Sequence, residues 1–251
     1  MNVVVTGGGT IAPIDDVRHI ANTSTGQFSA EITEAFLRYG ATVWHVHGPA
    51  AVLPFQGQAR LSLTDTNFDR EFARLKSLRG EIEGLRSRLY CRDIPPGTVA
   101  GYAQTLREIL LTQPIDVAVL AMAVSDYEPD RAQGKIPSDR DEWTLTLRRT
   151  PKVIQFVRGW APDVFLVGFK LLFAVSDDTL IATARDACKI NSADLTVAND
   201  LSSKQRGLHK VHVVERERLI ETIGPGESIA ARLVDRILTQ YARPRGAGVD
   251  R

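Results

Sequence analysis

Two polar clusters near the start of the chain have the residue types of an anion-binding pocket. Residues 7 to 9 are three glycines, and residues 22 to 26 read Asn-Thr-Ser-Thr-Gly. Glycine lets the backbone approach a ligand closely, and hydroxyl and amide groups bind phosphate or carboxylate oxygens. The clusters therefore predict a pocket for an anionic ligand with two distinct parts. The alternative is an ordinary tight turn, with Ser24 or Thr25 only capping a helix.

A strand and a delayed helix must position these clusters. Val3 to Thr6 is a β-branched run typical of a buried strand, and helical spacing of apolar residues starts only after about Thr25. Pro13 and the Asp15-Asp16 pair keep the intervening residues out of a helix. A dinucleotide fingerprint would begin its helix directly after the glycines. Both clusters are therefore expected at the carboxyl end of the first strand.

Polar residues also follow three later apolar strands. These strand ends are Ser125-Asp126, Phe169-Lys170 and Asn199-Asp200. Parallel strands joined by right-handed crossovers place their carboxyl ends on one edge of a sheet, where open α/β sheets bind ligands. We therefore expect one composite site, with a solvated turn carboxylate as the alternative reading of Asp126.

The order of elements predicts an α/β fold. Strand and helix patterns alternate, which is typical of a doubly wound, Rossmann-like, mostly parallel sheet with helices on both faces. We expect a single domain over residues 1–242, followed by a disordered tail over 243–251. A helical insert is expected at about 54–114, with apolar residues of one exposed helix at positions 68, 72, 75 and 78. The residues from Trp143 to Leu147 alternate like an edge or projecting strand.

Composition excludes several classes of function. The chain has 251 residues, 43% of them hydrophobic, and its 31 basic residues nearly balance 30 acidic ones. This balance indicates neither a nucleic-acid nor a membrane partner, and small substrates fit it better. Cys91 and Cys188 are the only cysteines, which gives neither a disulfide framework nor metal-ligand spacing. His45 and His47 are interpreted as surface or pocket-rim residues. No targeting segment or membrane span is recognised, so we expect a cytoplasmic protein.

The segments in this order resemble the phosphopantothenate-cysteine ligase (phosphopantothenoylcysteine synthetase) family. The matching motifs are V-T-G-G-G-T (5–10), P-I-D-D-V-R (13–18), N-T-S-T-G (22–26), A-V-S-D-Y (123–127), G-K-I-P-S (134–138), T-P-K (150–152), V-G-F-K-L (167–171) and V-A-N-D (197–200). They span nearly the whole chain outside the insert. A-V-S-D-Y, K-I-P-S and G-F-K-L are closer to the eukaryotic branch.

The resemblance implies a ligase of coenzyme A biosynthesis. Members of this family join 4'-phosphopantothenate to L-cysteine with a nucleoside triphosphate, ATP or CTP, and Mg²⁺. The substrate carboxylate attacks the α-phosphate, pyrophosphate leaves, and the cysteine amine attacks the acyl-nucleotide. The K-I-P-S motif favours ATP over CTP. By analogy we also expect a homodimer, with the segment between Lys135 and Lys152 at the interface.

The resemblance also assigns three catalytic residues. Asn22 would hold the acyl-nucleotide through its amide, and Lys135, on a flap, would stabilise charge that develops on the α-phosphate. Lysine suits this role because it is a flexible point charge. Asp126 would hold the nucleotide. From the sequence pattern alone, Lys135 is an ordinary solvated loop lysine.

By the same resemblance, further residues would bind the nucleotide and the substrate. No residue is expected to bind a metal directly. Arg18 would steady the site or the substrate. The other expected binding residues are Gly8, Ser24, Gly26 and Asn199 around phosphate, Ala123 beside the nucleotide, and Pro151, Lys152, Val153, Ile154 and Phe169 around base and ribose.

The chain departs from the family pattern at the second polar cluster. Gln27 replaces a usual basic residue and Ser29 replaces a usual glycine, so a basic contact and some backbone room are lost. These changes permit a paralogue with altered specificity. A separate alternative is a non-catalytic regulatory or scaffold paralogue that uses the arginine-rich insert as a docking surface. The other alternative is a nucleotide-dependent oxidoreductase, against which stand the delayed helix and the missing acidic residue after His47.

Overall fold

A computed structural model describes residues 1–61, 67–139, 141–205, 207–225 and 228–243. The chain divides into two compact units, Met1–Gly168 and Phe169–Arg251. The expected extent of the domain, residues 1–242, stays a prediction. Of the expected tail, all but Arg243 lies outside the described residues.

The first unit contains most of the parallel strands. Its strands are β1 (Asn2–Gly7), β2 (Ile11–Pro13), β3 (His19–Ala21), β4 (Thr42–His47), β5 (Leu89–Asp93), β6 (Val117–Leu120), β7 (Tyr127–Pro129) and β8 (Leu147–Arg149), and β9 (Phe165–Leu172) begins there. Its helices are α1 (Gln27–Arg38), α2 (Phe68–Leu85), α3 (Val99–Thr112) and α4 (Val157–Trp160), with 3-10 turns at Arg86–Arg88 and Val153–Phe156.

The second unit begins within β9. Its remaining elements are α5 (Asp177–Ile190), β10 (Leu195–Asp200), α6 (Leu201–Gln205), β11 (Val211–Val214), β12 (Leu219–Ile223) and α7 (Ile229–Tyr241). The strands β10, β11 and β12 pair antiparallel in that order. Leu180 and Ala184 of α5 are buried in one cluster with Ala198 and Val214.

Within the described ranges the central sheet has eight strands in the order β12-β11-β10-β9-β6-β1-β4-β5. In the first unit β1 pairs in parallel with β4 and β6, β4 with β5, and β6 with β9. Val3, Val4 and Val5 of β1 are fully buried, and all four residues of β6 are buried. Such continuous apolar runs are typical of parallel strands covered on both faces. The predicted α/β class with a mostly parallel sheet is thus confirmed.

The helices α1 and α3 each bury one apolar face. In α1 this face includes Ile32 and Phe36, and in α3 it includes Leu106 and Ile109. By contrast, α2 buries only Leu78 among its eighteen residues, as expected for a helix on the outside of an insert. The edge strand β5, which follows α2, was not identified from the sequence.

Two short strand pairs lie outside the central sheet. The pair β2–β3 follows the glycine turn, and β7–β8 follows β6. The expected projecting strand is present, but the prediction that it spans Trp143 to Leu147 was wrong, because β8 starts at Leu147. The Trp143 ring instead lies under the Arg18 guanidinium, 4.8 Å from its carbon to the ring centroid.

Candidate active site

The two polar clusters predicted from the sequence, residues 7–9 and 22–26, come into contact at the carboxyl end of β1. Gly8 and Gly26 both have positive φ, 77° and 74°. A Cβ atom built on Gly26 would lie 3.1 Å from the Gly8 nitrogen, and one built on Gly8 would lie 2.5 Å from the Ala51 Cβ. Since positive φ and close approach both favour glycine, the backbone itself forms this corner.

Asn22 and Ala123 meet beside the glycine turn. The Ala123 amide donates to the Gly8 carbonyl at 2.8 Å, and the Ala123 carbonyl accepts from Asn22 Nδ2 at 3.2 Å. The pair β2–β3, which ends at Ala21, brings Asn22 back to this position. Three predicted site residues from separate segments therefore converge at the carboxyl ends of β1 and β6.

The loop after β6 is fixed by two buried hydroxyl groups. The Ser125 amide donates to Thr10 Oγ1 at 2.9 Å, and Thr150 Oγ1 donates to the Ser125 carbonyl at 2.5 Å. We call Thr10, Ser125 and Thr150 the Ser125 junction. Buried polar groups with partners stabilise one loop conformation, because any other arrangement leaves them unpaired. Sequence reasoning missed both threonines, although each lies in a quoted motif.

Asp126 follows this junction and forms an ion pair with Lys152. Both side chains are about half exposed, so the pair contributes little to stability, roughly 0–1 kcal/mol. Opening this ion pair so that Asp126 and Lys152 contact a ligand therefore costs little free energy. Of the neighbouring predicted residues, Val153 is buried, Ile154 is half-buried and Pro151 is exposed.

Arg18 binds protein groups rather than pointing freely to solvent. Its Nε donates to Asp15 Oδ2 at 2.9 Å, and its Nη2 donates to the Ile136 carbonyl at 2.7 Å. The Asp15 side chain is fully buried, and the Arg18 guanidinium holds the pKa of that carboxyl well below its usual range. Arg18 thus joins the β2–β3 turn to the segment that carries the exposed Lys135.

The other predicted residues are placed as follows. Ser24 is exposed in the first unit. Phe169 in β9 and Asn199 in β10 are half-buried and lie in the second unit. The adjoining Asp200 carboxylate accepts from Ser202 Oγ at 2.5 Å and from the Ser203 amide at 2.8 Å. These donors lower the pKa of Asp200. They also bind its carboxylate to the start of α6.

The two departures from the family pattern have structural consequences. Ser29 is buried, and its hydroxyl donates to the Gly26 carbonyl at 2.7 Å. A Cβ on Gly7 would come within 1.7 Å of this hydroxyl, so the serine fills the space above Gly7. Gln27 donates to Glu31 at 2.8 Å and brings no positive charge to the start of α1.

The reading of His45 as a surface or rim residue was wrong. His45 is fully buried, because β4 packs against α1, where Thr33 contacts the His45 ring. Its Nδ1 pairs with Thr33 Oγ1 at 2.8 Å, and burial lowers its pKa to about 3. Its Nε2 has no partner within the described part of the chain. His45 is therefore a neutral residue of the sheet interior.

The described ranges contain neither a metal-binding cluster nor a membrane-spanning helix. There, no three histidine, cysteine, aspartate or glutamate side chains are grouped to hold a metal ion. Among the helices formed by these residues, none has the length and apolar character needed to cross a bilayer.

Known proteins resemble this chain in sequence. A coenzyme A biosynthesis bifunctional protein CoaBC of Thermococcus kodakarensis is 30% identical over 217 residues, covering 86% of this chain and 45% of that protein. The human phosphopantothenate–cysteine ligase is 29% identical over 275 residues, covering 95% of this chain and 86% of that enzyme. The chain spans about half the length of the CoaBC relatives.

Solved structures share the fold. A DNA/pantothenate metabolism flavoprotein from Streptococcus pneumoniae has a TM-score of 0.75 and 29% identity, covering 95% of this chain and 99% of that one. A Cab2 mutant in complex with phosphopantothenate-cysteine has a TM-score of 0.80 at 22% identity, covering 96% of this chain and 86% of that one. The latter likeness concerns the fold alone.

The family match covers both the glycine turn and the later strand ends. It extends over residues 1–68 and 98–241 and leaves out most of α2 and all of β5. The resemblance inferred from the ordered motifs is thereby confirmed: this chain belongs to the family of DNA/pantothenate metabolism flavoprotein C-terminal domains.

Proposed function

We propose that this chain is a phosphopantothenate-cysteine ligase of coenzyme A biosynthesis. It would join 4'-phosphopantothenate to L-cysteine through an acyl-nucleotide intermediate. The observation that carries the proposal is the convergence of Gly8, Asn22 and Ala123 at adjacent strand ends. The names of the human, mouse and rice relatives support the same activity.

The reaction needs activation because a carboxylate is a poor electrophile. A carboxylate oxygen of 4'-phosphopantothenate attacks the α-phosphorus of the nucleotide, and pyrophosphate leaves. The cysteine amine then attacks the acyl carbon, loses a proton and forms the amide, and the nucleoside monophosphate leaves. The contribution of the protein is to orient the reactants and to stabilise charge.

Backbone groups and one amide supply the orientation. The glycine corner at Gly8 and Gly26 allows phosphate or carboxylate oxygens to approach the main chain. The exposed Asn22 side chain donates one hydrogen bond to the Ala123 carbonyl. Its amide oxygen and its second N–H group can still bind the acyl-nucleotide. Asn22 would thus hold the intermediate while cysteine attacks.

Charge on the nucleotide is stabilised by lysine. The exposed Lys135 would move its ammonium group to the α-phosphate, while Asp126 and Lys152 contact the nucleotide after their ion pair opens. Mg²⁺ would arrive bound to the phosphates of ATP or CTP, which matches its preference for few protein ligands. Gly8, Ser24 and Gly26 would surround phosphate. Pro151 to Ile154 and Arg18 would complete the nucleotide and substrate contacts of the first unit.

Assembly and location are further parts of the proposal. We infer a cytoplasmic homodimer with the segment from Lys135 to Lys152 at its interface, on the strength of family membership. The β7–β8 pair exposes Tyr127 and Leu147, which supplies apolar surface for such a contact.

Pyrophosphate release tests the reaction. The purified chain is incubated with Mg²⁺, 4'-phosphopantothenate and each of ATP, CTP, GTP and UTP, with and without cysteine. We expect release to require phosphopantothenate, and amide product to require cysteine as well. Release without phosphopantothenate, or no turnover with any nucleotide, would contradict the proposal and favour a paralogue without this activity.

Two variants separate the proposed roles. Lys135→Gln removes the charge near the α-phosphate, and we expect pyrophosphate release to be lost, whereas Lys76→Gln on the exposed face of α2 leaves it unchanged. Asn22→Asp should slow amide formation more than pyrophosphate release, because a second negative charge disfavours holding the intermediate. Asn67→Asp is its control, since aspartate caps α2 as well as asparagine does. Normal turnover in Lys135→Gln would refute the lysine assignment.

A further inference from the structure

Two carboxylates of the β2–β3 turn bind the backbone on either side of Lys135. The Asp16 carboxylate accepts from the Gly134 amide at 2.9 Å, and the Asp15 carboxylate accepts from the Ile136 amide at 3.1 Å. The Asp16 amide also donates to the Gly134 carbonyl at 3.1 Å. Lys135 is therefore the single residue between two anchored neighbours.

Arginines complete these contacts. Arg18 joins Asp15 to the Ile136 carbonyl, and Arg131 Nη2 donates to Asp16 Oδ1 at 2.8 Å. We call Asp15, Asp16, Arg18 and Arg131, with the backbone from Gly134 to Ile136, the Lys135 clamp. Each of its two carboxylates binds both an arginine and a backbone amide. Charge-assisted bonds of this kind are stronger than neutral ones.

The two aspartates differ in their surroundings. The Asp15 side chain is fully buried, whereas that of Asp16 is 51% exposed. Asp15 also accepts from the Val17 and Arg18 amides at 2.9 and 2.8 Å, so it shapes its own turn as well as the lysine segment. Asp16 has the simpler role, because, among the residues that the structure describes, its hydrogen bonds outside the turn go only to Arg131 and Gly134.

We propose that Asp15 and Asp16 are positioning residues that hold the backbone around Lys135 so that its ammonium group reaches the nucleotide. This inference rests on the proposed ligase function. Neither carboxylate touches the reactants. Each acts by restricting the directions in which the Lys135 side chain leaves the backbone, which matters because small misplacements of a catalytic group are costly.

Asp16 is the residue to test, because its exposed side chain can be removed without a buried cavity. We expect Asp16→Ala to lower kcat for pyrophosphate release about tenfold, with KM for phosphopantothenate changed by less than about twofold. Asp16→Asn keeps an acceptor for the Gly134 amide and should restore most of the rate. Glu83→Ala is the matched control, because Glu83 is an exposed acid paired with Arg79 on α2, and it should leave kcat unchanged.

Hydrogen exchange supplies an independent readout. Amide exchange of Gly134 and Ile136 should accelerate in Asp16→Ala while the melting temperature stays within about 2 °C of wild type. Wild-type turnover together with normal kcat in Asp16→Ala would overturn this inference and leave the ligase function standing. A loss of rate that Asp16→Asn does not restore would overturn it as well. A wild-type chain without pyrophosphate release overturns both.

Discussion

The Ser125 junction and the Lys135 clamp hold neighbouring parts of the same candidate site by different means. The junction uses buried hydroxyl and backbone groups, while the clamp uses four charged side chains, three of them at least one-third exposed. Buried neutral hydrogen bonds respond little to salt, and exposed ion pairs are screened by it. The comparison indicates that both parts are held in place, the nucleotide floor by contacts that resist salt and the lysine segment by contacts that salt weakens.

Gly48 packs against the glycine corner, because its amide donates to the Gly7 carbonyl at 3.0 Å, and this position should be the most sensitive to added volume. A Cβ on Gly48 would lie 2.2 Å from the Gly9 carbonyl oxygen, a backbone atom that cannot move without shifting the turn. We expect Gly48→Ala to lower the free energy of unfolding by about 3 kcal/mol in urea denaturation.

A matched glycine in the insert serves as the control. Gly80 lies within α2, and a Cβ there would have no neighbour within 4 Å. Gly80→Ala should therefore stabilise the chain by up to about 1 kcal/mol, because alanine favours a helix. Equal effects of the two changes would contradict the idea that the corner is rigid.

Acid should affect the sheet interior around His45 and the Lys135 clamp at different pH values. His45 has a pKa of about 3 in the folded chain, against 6.5 ordinarily. As the pH falls, the unfolded chain therefore takes up a proton at His45 before the folded chain does. The free energy of unfolding should therefore fall by about 2 kcal/mol between pH 7 and pH 5 through this one group. His45→Gln should remove that part of the pH dependence, and an unchanged slope in this variant would argue against it.

Over the same interval the Lys135 clamp should persist. The pKa of Asp15 lies below its ordinary value of 3.8, so its contribution is present above that value and is lost as the pH falls through the lower folded value. Amide exchange at Ile136, corrected for the intrinsic rate, should be the same at pH 7 and pH 5.

The smallest predicted difference concerns salt. Thr150→Val removes the buried bond to the Ser125 carbonyl and should cost about 1.5 kcal/mol at any salt concentration. Arg131→Gln removes an exposed pair with Asp16, and its smaller loss should disappear in about 1 M NaCl. Denaturation of both variants at low and high salt measures this, and equal salt responses would remove the distinction between the two regions.

Much of the rigid region was predictable from the sequence, and much of the clamp was not. The apolar runs of β1 and β6 and the glycines after β1 identify strands and a turn by residue type alone, so the glycine turn, the Asn22 cluster and the end of β6 were expected together. The assignment of Ala123 itself came from the family resemblance. The strands β2 and β3 have three residues each, which is too short for a periodic pattern. Their pairing brings Asp15 and Asp16 to the Lys135 segment.

Other features were missed because local sequence does not encode burial. The residues of β5, Leu-Tyr-Cys-Arg-Asp, are mostly exposed at the sheet edge, so they lack the apolar run that identified β1. His45 and His47 share one face of β4, a pattern that suits a surface strand, yet neighbouring elements bury His45. Thr10 and Thr150 have ordinary turn composition, and only the fold shows that they meet Ser125.

The position of β1 in the middle of the sheet also has a consequence for synthesis of the chain. Its two partners are made much later, since Val3 pairs with Val43 on one side and with Val117 on the other. Until β6 has left the ribosome, one side of an apolar strand offers unpaired backbone groups, and such edges recruit strands from other molecules. Expression at low temperature, or with a chaperone that shields nascent chains, should therefore raise the yield of folded protein.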